Sequence, residues 1–183
     1  MINRQTLKRL TEVEQLRFLT NHPKSGELFQ AGLANMPGGV PMSWMAKWSG
    51  AYPIFIAEAK GAHFTDVDGN TYIDFCLGDT GAMTGHAPDA TVAAIREQAG
   101  KGITTMLPTA DAAIVSAELA RCFGLPLWQF TVSATDANRH VIRYSRLITG
   151  RTKIVVIDRC YHGSVDETFA TLDAGGNTVA RAG

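Results

Sequence analysis

An excess of charge of either sign is missing: 17 basic and 17 acidic side chains cancel over 183 residues. No basic stripe with interleaved aromatics occurs, so the electrostatic footprint of a nucleic-acid binder is absent. Cysteine is scarce. Cys76, Cys122 and Cys160 are odd in number and lack metal-type spacing, which argues against a disulfide framework and fits a reducing, cytoplasmic compartment. Long apolar runs are lacking too. The N-terminus "MINRQTLKRLTEVEQLRFL" alternates charged and apolar residues, so it reads neither as a signal peptide nor as a membrane span, and no membrane partner is expected. The Gly-rich stretches "MPGGVP" and "DAGGNT" match neither the dinucleotide fingerprint nor a P-loop. "DVDGN" fails as a calcium loop because its glycine comes too early and no bidentate glutamate follows, so no metal is expected.

What is present is an ordinary globular composition, 45% hydrophobic and 19% charged, in a chain long enough to bury a core. Leu7, Leu10, Val13 and Leu16 recur at helical spacing, and a second helical run starts at a Ser25 cap and stops at Pro37-Gly38-Gly39. "MPGGVPMSWMAKWSGAYP" reads as an irregular loop with two tryptophans that packs against other parts or lines a pocket. "IFIAEA", "AHFTDV" and "TYIDFCLG" read as short antiparallel strands, with Asp68-Gly69-Asn70 as the turn between the last two. A helix opens near Pro88, and another, "TADAAIVSAELARCFG", carries a core-facing stripe of Val115, Leu119, Cys122 and Phe123 and stops at Gly124.

The segment from 128 to 163 reads as strand "WQFTV", loop "SATD", helix "ANRHVIRYSRLI", turn "TGR", strand "KIVVI" and loop "DRCYHG". Strand, crossover helix and strand imply parallel neighbours in an α/β sheet, with a functional crevice at their carboxyl ends. Both polar loops fall at that edge. Ser133, Ala134 and Thr135 sit where a helix begins, so free amides and the positive end of the helix dipole make either an anion site or a plain capping run completed by Asp136. Tyr161 and His162 leave the second strand, where a ring can stack on a flat cofactor and an imidazole can hydrogen-bond, or where both are simply packing and surface.

The order and wording of "MPGGV", "GAHFTDVDGNTYIDF", "TGHAPDATVAAI", "SATDANRHVIRYSRLITGRTKIVVI" and "CYHG" resemble class III, fold-type I pyridoxal-phosphate-dependent aminotransferases, above all the branch containing glutamate-1-semialdehyde aminomutase. The likeness runs from about Leu28 to Val165. It implies an α/β fold: an N-terminal segment, residues 1–86, with helices and a small antiparallel sheet, then the truncated start of a mainly parallel cofactor-binding large domain, residues 87–183. It also implies pyridoxal 5'-phosphate as cofactor, a small-molecule amino donor and carbonyl acceptor as substrates, and a homodimer. Ser133, Ala134 and Thr135 look like the phosphate-binding turn, and Tyr161 looks like the ring that stacks on the pyridine, with His162 beside it.

Departures from the family pattern matter as well. The usual Ser-Gly-Thr-Glu-Ala turn here has Ala134 for glycine and Asp136 for glutamate, which removes backbone freedom while keeping the amides. "VPMSWMAKW" offers Lys47 where some members carry a carboxylate-binding arginine, and Trp44 is the candidate substrate contact. The resemblance puts the Schiff-base lysine, and the aspartate that holds the pyridinium nitrogen, beyond Gly183. The expectation is therefore a chain that is catalytically incomplete by itself. Two rival readings are a non-catalytic remnant that binds the cofactor weakly or associates with a full-length relative, and an unrelated α/β phosphate-binding module.

Overall fold

The computed structural model describes residues 3–181. The chain forms two compact units, Met1–Thr105 and Met106–Gly183. This division falls later than the one at 86/87 read from the sequence; the outermost residues of both predicted segments, 1–2 and 182–183, lie outside the described range. Helix α3, Asp89–Ala99, goes with the first unit because its start is tied to the sheet there. Lys60 Nζ donates to the Ala87 carbonyl at 2.7 Å and pairs with Asp89, while Gly61 and His86 exchange backbone hydrogen bonds of 2.9 and 2.8 Å.

In the first unit, helix α1, Arg4–Asn21, is capped by Asn3, whose side chain accepts from the Gln5 and Thr6 amides. Helix α2, Pro23–Leu33, opens on Pro23, where the missing amide proton costs nothing. Ser25 is therefore not its cap, contrary to the sequence reading; it lies inside the first turn and is fully buried. The amides of that turn are satisfied from a distance: the Asp68 carboxylate accepts from Lys24 N at 2.7 Å and from Ser25 N at 3.1 Å, and takes the Ser25 hydroxyl at 2.8 Å. A carboxylate against a helix N-terminus is favoured by the free amides and by the dipole.

Strands β1 (Ile56–Lys60), β2 (His63–Asp66) and β3 (Thr71–Ile73) form the expected antiparallel meander, in which the Phe64 and Tyr72 rings stack as a cross-strand pair. Asp66, buried at the end of β2, accepts from the Asp68 and Asn70 amides, from Asn70 Nδ2 and from the Tyr72 hydroxyl. Tyr72 in turn meets His22 Nε2 at 2.7 Å, and His22 Nδ1 donates to the Phe18 carbonyl. The turn thus holds the end of α1 as well as the start of α2. Burial alone would raise the Asp66 pKa, but these donors hold it below its ordinary value, and Asp68 is lowered in the same way by Lys24 and Ser25. Tyr72 is pushed up to about 12, by burial first and then by Asp66.

The segment between residues 36 and 53 is irregular, as expected, with 3-10 turns at Pro37–Gly39 and Ser43–Ala46 and a buried Val40. Trp44 and Trp48 remain largely exposed. No described helix is long and apolar enough to cross a membrane, and no group of three or more His, Cys, Asp or Glu among the described residues is placed to hold a metal ion.

The second unit contains helices α4 (Ala110–Phe123) and α5 (Ala134–Thr149), each ended by a left-handed glycine, Gly124 and Gly150. A hairpin of β4 (Ala170–Leu172) and β5 (Thr178–Ala180) closes around Asp173, whose carboxylate accepts from the Gly175 and Asn177 amides. The Gly-rich "DAGGNT", excluded above as a nucleotide loop, is this hairpin turn. The predicted strands at 128–132 and 153–157 form no ladder among the described residues, since a strand exists only by pairing with a neighbour. Their apolar side chains stand open, with Val132 98% and Val155 99% exposed. The α4 stripe is likewise uncovered: Val115 and Phe123 are exposed, so the core role read from the sequence is not met within the described residues. Val165 alone is a fully buried apolar side chain in the described part of this unit.

Two consequences concern the turn in the first unit. Asp66 and Asp68 titrate lower in the folded chain than in the unfolded one, so their contribution is present above the ordinary value of 3.8 and is lost as pH falls through the folded values. Unfolding followed by tryptophan fluorescence is expected to show a midpoint that is flat near neutral pH and falls below about pH 4. Asp66→Ala, which leaves several buried donors unpaired, is expected to cost about 2–4 kcal/mol at neutral pH, read from the denaturant midpoint.

Candidate functional site

The sequence separates the two polar loops by a whole helix, and the fold brings them into contact. Ser133 is the N-cap of α5: its hydroxyl accepts from the Asp136 amide at 3.2 Å and donates to the Asp136 carboxylate at 2.9 Å. The capping reading of Ser133 and Asp136 therefore holds at the side-chain level. It leaves the next two amides unused, because neither Ala134 N nor Thr135 N has a hydrogen-bond partner among the described residues. Ala134 thus offers an amide at a helix N-terminus despite having a side chain where the family pattern has none.

Thr135 does two things. Its Oγ1 accepts the Ser164 amide at 3.0 Å, which uses an oxygen lone pair and leaves the hydroxyl hydrogen to be given elsewhere. Its backbone forms the floor on which Gly163 sits. A Cβ on Gly163 would fall 2.8 Å from Thr135 Cα and 3.0 Å from Thr135 N, and closer still to Oγ1; Gly163 also has φ of +79°, a region that favours glycine. The residue is needed at that position for both reasons. Asn138, one turn further along α5, donates from Nδ2 to the His162 carbonyl at 2.9 Å.

Just before these contacts in the chain stands Tyr161, 70% exposed and with no side-chain hydrogen bond or aromatic contact among the described residues. His162 is half-buried, and its Nδ1 is a buried nitrogen with no partner. Leaving such an atom unpaired costs about 1–3 kcal/mol, a penalty that a bound polar group removes. The turn therefore presents two free amides and a donor hydroxyl, the facing loop presents an open aromatic face, and an unpaired imidazole nitrogen lies beside it. These features fit a planar, phosphorylated cofactor: the amides and the Thr135 hydroxyl suit an anionic ester, and Tyr161 suits a flat ring.

The structure thus groups Ser133, Ala134, Thr135, Tyr161 and His162 in the second unit, while Trp44 lies in the first, exposed on the Ser43–Ala46 turn. Sequence reasoning missed Asn138 and Arg181. Arg181 Nη1 donates to the Cys160 carbonyl at 3.1 Å, and Asn138 holds the carbonyl on the other side of Tyr161. Their partners are backbone atoms about twenty residues away or more, which no local pattern encodes. Asn138 alone could have been flagged, as a side chain one helical turn after Ala134 and so on the same face as the amides.

The family model "Aminotransferase class-III" matches residues 44–178. A glutamate-1-semialdehyde 2,1-aminomutase of Methanocaldococcus jannaschii is 36% identical over 156 residues, covering 85% of this chain and 36% of its own length. One from Thermodesulfovibrio yellowstonii is also 36% identical, over 86% of this chain and 37% of its own. The solved structure of a glutamate-1-semialdehyde-aminomutase from Pseudomonas aeruginosa superposes with a TM-score of 0.92 at 48% identity, covering all of this chain and 40% of that one. A transaminase with PLP bound superposes at 0.78 with 32% identity, over 87% of this chain and 38% of its own. The chain thus spans well under half the length of the relatives it matches, and what it corresponds to in them is their N-terminal portion with the fold-type I architecture. On the family match, the identity over most of its length and the shared fold, the chain belongs to the class III aminotransferases.

Proposed function

We propose that this chain supplies the N-terminal part, including the phosphate turn and ring platform, of a pyridoxal-phosphate-dependent class III aminotransferase or aminomutase. The observation that carries the reading is the seating of Gly163 on Thr135, which brings the loop that bears the exposed Tyr161 against the helix terminus with the free amides. Two relatives matched by structure hold the cofactor in its aldehyde and amine forms, the PLP-bound transaminase and a lysine-to-alanine variant of the Pseudomonas aeruginosa aminomutase in complex with PMP. The aminomutase names among the sequence relatives favour that branch.

When bound, pyridoxal phosphate supplies the electron sink that lets an amino group move between carbon atoms. The work of this chain's residues is binding and orientation. Ala134 N, Thr135 N and the Thr135 hydroxyl hold the phosphate ester, Ser133 keeps the helix terminus open by capping Asp136, and Tyr161 covers one face of the ring. His162 follows Tyr161 in the chain, and its Nδ1 is buried and unpaired among the described residues. Trp44 is the candidate substrate contact, and a small amino donor and carbonyl acceptor are the substrates. The dimer and the cytoplasmic setting belong to this reading too.

Proton transfer at the reacting carbon needs a lysine amine. Lys153 is the sole lysine between residues 106 and 181, and it opens the 153–157 segment, away from both site loops in the sequence. The chain by itself is accordingly expected to bind cofactor at most and to transfer no amino group. Its intact mass as its source makes it distinguishes a part of a longer enzyme from a short product: more than twice 19.7 kDa for the former, 19.7 kDa for the latter.

Titration of the protein as its source makes it with pyridoxal phosphate, followed by visible absorbance and circular dichroism, tests the cofactor reading. Retained cofactor with an induced dichroic band is expected, and no retention defeats it. Tyr161→Ala is expected to weaken binding about tenfold through loss of the stacked ring. Gly163→Ala, which must displace Thr135 backbone, is expected to abolish retention.

A further inference from the structure

We propose that Asn138 is a positioning residue for the cofactor ring. By its hydrogen bond to the His162 carbonyl, with Arg181 doing the same for the Cys160 carbonyl, it fixes the peptide group between His162 and Gly163, as Arg181 fixes the one between Cys160 and Tyr161, so that the Tyr161-His162 pair is held at both ends. It thereby sets where the Tyr161 ring stands relative to the phosphate turn. This rests on the cofactor reading above.

The Tyr161 side chain makes no hydrogen bond or aromatic contact of its own among the described residues, so its place follows from its backbone. That backbone follows a tight turn: the Cys160 amide donates to the Ile157 carbonyl at 3.1 Å, and Arg159 has φ of +63°. Beyond it, the carbonyls on either side of the tyrosine each receive one side-chain donor, Arg181 Nη1 at 3.1 Å and Asn138 Nδ2 at 2.9 Å. Backbone carbonyls of a loop have no ladder partner, and a side-chain donor is what orients them. Asn138 is the more informative of the two because it lies on the same helix as the phosphate turn. Thr135 and Asn138, at positions i and i+3, face the same way and reach 29 and 24 residues along the chain to Ser164 N and the His162 carbonyl. One turn of α5 therefore binds the anion at its end and clamps the ring platform from its side. The separation between phosphate site and ring site is set by a rigid helix rather than by two independent loops.

The test uses the protein as its source makes it, with pyridoxal phosphate and inorganic phosphate as separate probes. Asn138→Leu, close in size but without a donor, is expected to raise the dissociation constant for pyridoxal phosphate about threefold to tenfold and to alter the induced dichroism of the bound ring. The constant for inorganic phosphate as a competitor is expected to stay unchanged, because the Ala134 and Thr135 donors remain. In a Tyr161→Ala background the same change is expected to have no further effect, since the platform it positions is gone. Arg181→Met acts on the other flank of Tyr161 and is expected to show the same pattern, so the test stands if Asn138→Leu does not fold.

Cofactor affinity and dichroism equal to those of the unaltered protein in both variants overturn the inference. So does an Asn138→Leu loss of the same size with and without Tyr161, or a parallel loss of phosphate affinity, which would make Asn138 a support of the helix terminus only. If the unaltered protein retains no pyridoxal phosphate, the cofactor reading itself falls, and the inference falls with it.

Discussion

The contact between Gly163 and Thr135 is the constraint on which the candidate site depends. Two loops that leave different segments come within van der Waals distance there, and no side chain fits between them. The loop that bears Tyr161 is held against the start of α5 because that gap is closed. Thr135 serves both loops at once, as it receives the Ser164 amide on its oxygen while its own hydrogen is left to point elsewhere. A helix terminus on its own is an ordinary place for a cap. With a loop bearing an exposed aromatic ring seated against it, it is the place we propose for a planar anion.

The first unit is organised by a different kind of contact, in which one turn satisfies the ends of two helices. Asp68 caps α2 from a sequence distance of 43 and 44 residues, and Asp66 reaches α1 through Tyr72 and His22. Such bonds give buried carboxylates enough donors to remain ionised. They also make the Asp-Val-Asp-Gly-Asn stretch structural, with its oxygens committed to amides, hydroxyls and an amide side chain.

Much of this was legible in the sequence where the signal is local. Alternating apolar residues around Asp68-Gly69-Asn70 mark the meander, Gly124 marks the end of α4, and Ser133 followed by Asp136 marks the start of α5. The errors arise where a partner is remote. Ser25 has the chemistry of a cap and stands near a helix start, yet the cap comes from Asp68, and Pro23 opens the helix earlier. The hairpin around Asp173 was hidden because two adjacent glycines fit several turn types. Asn138 and Arg181 were invisible as site residues because each acts on a main-chain carbonyl, which carries no sequence identity.

The unpaired segments at 128–132 and 153–157 bear on how such a chain is made. A ribosome delivers α5 and its caps complete, since every bond they need lies within a few residues, and local helices form in about a microsecond or less. The flanking segments have no ladder partner among the described residues, and Val132 and Val155 stand open to water. The Ser133 cap and the start of α5 thus rest on local bonds alone, while the two apolar segments beside them in the sequence present unpaired backbone and bare side chains, the kind of edge that invites another strand.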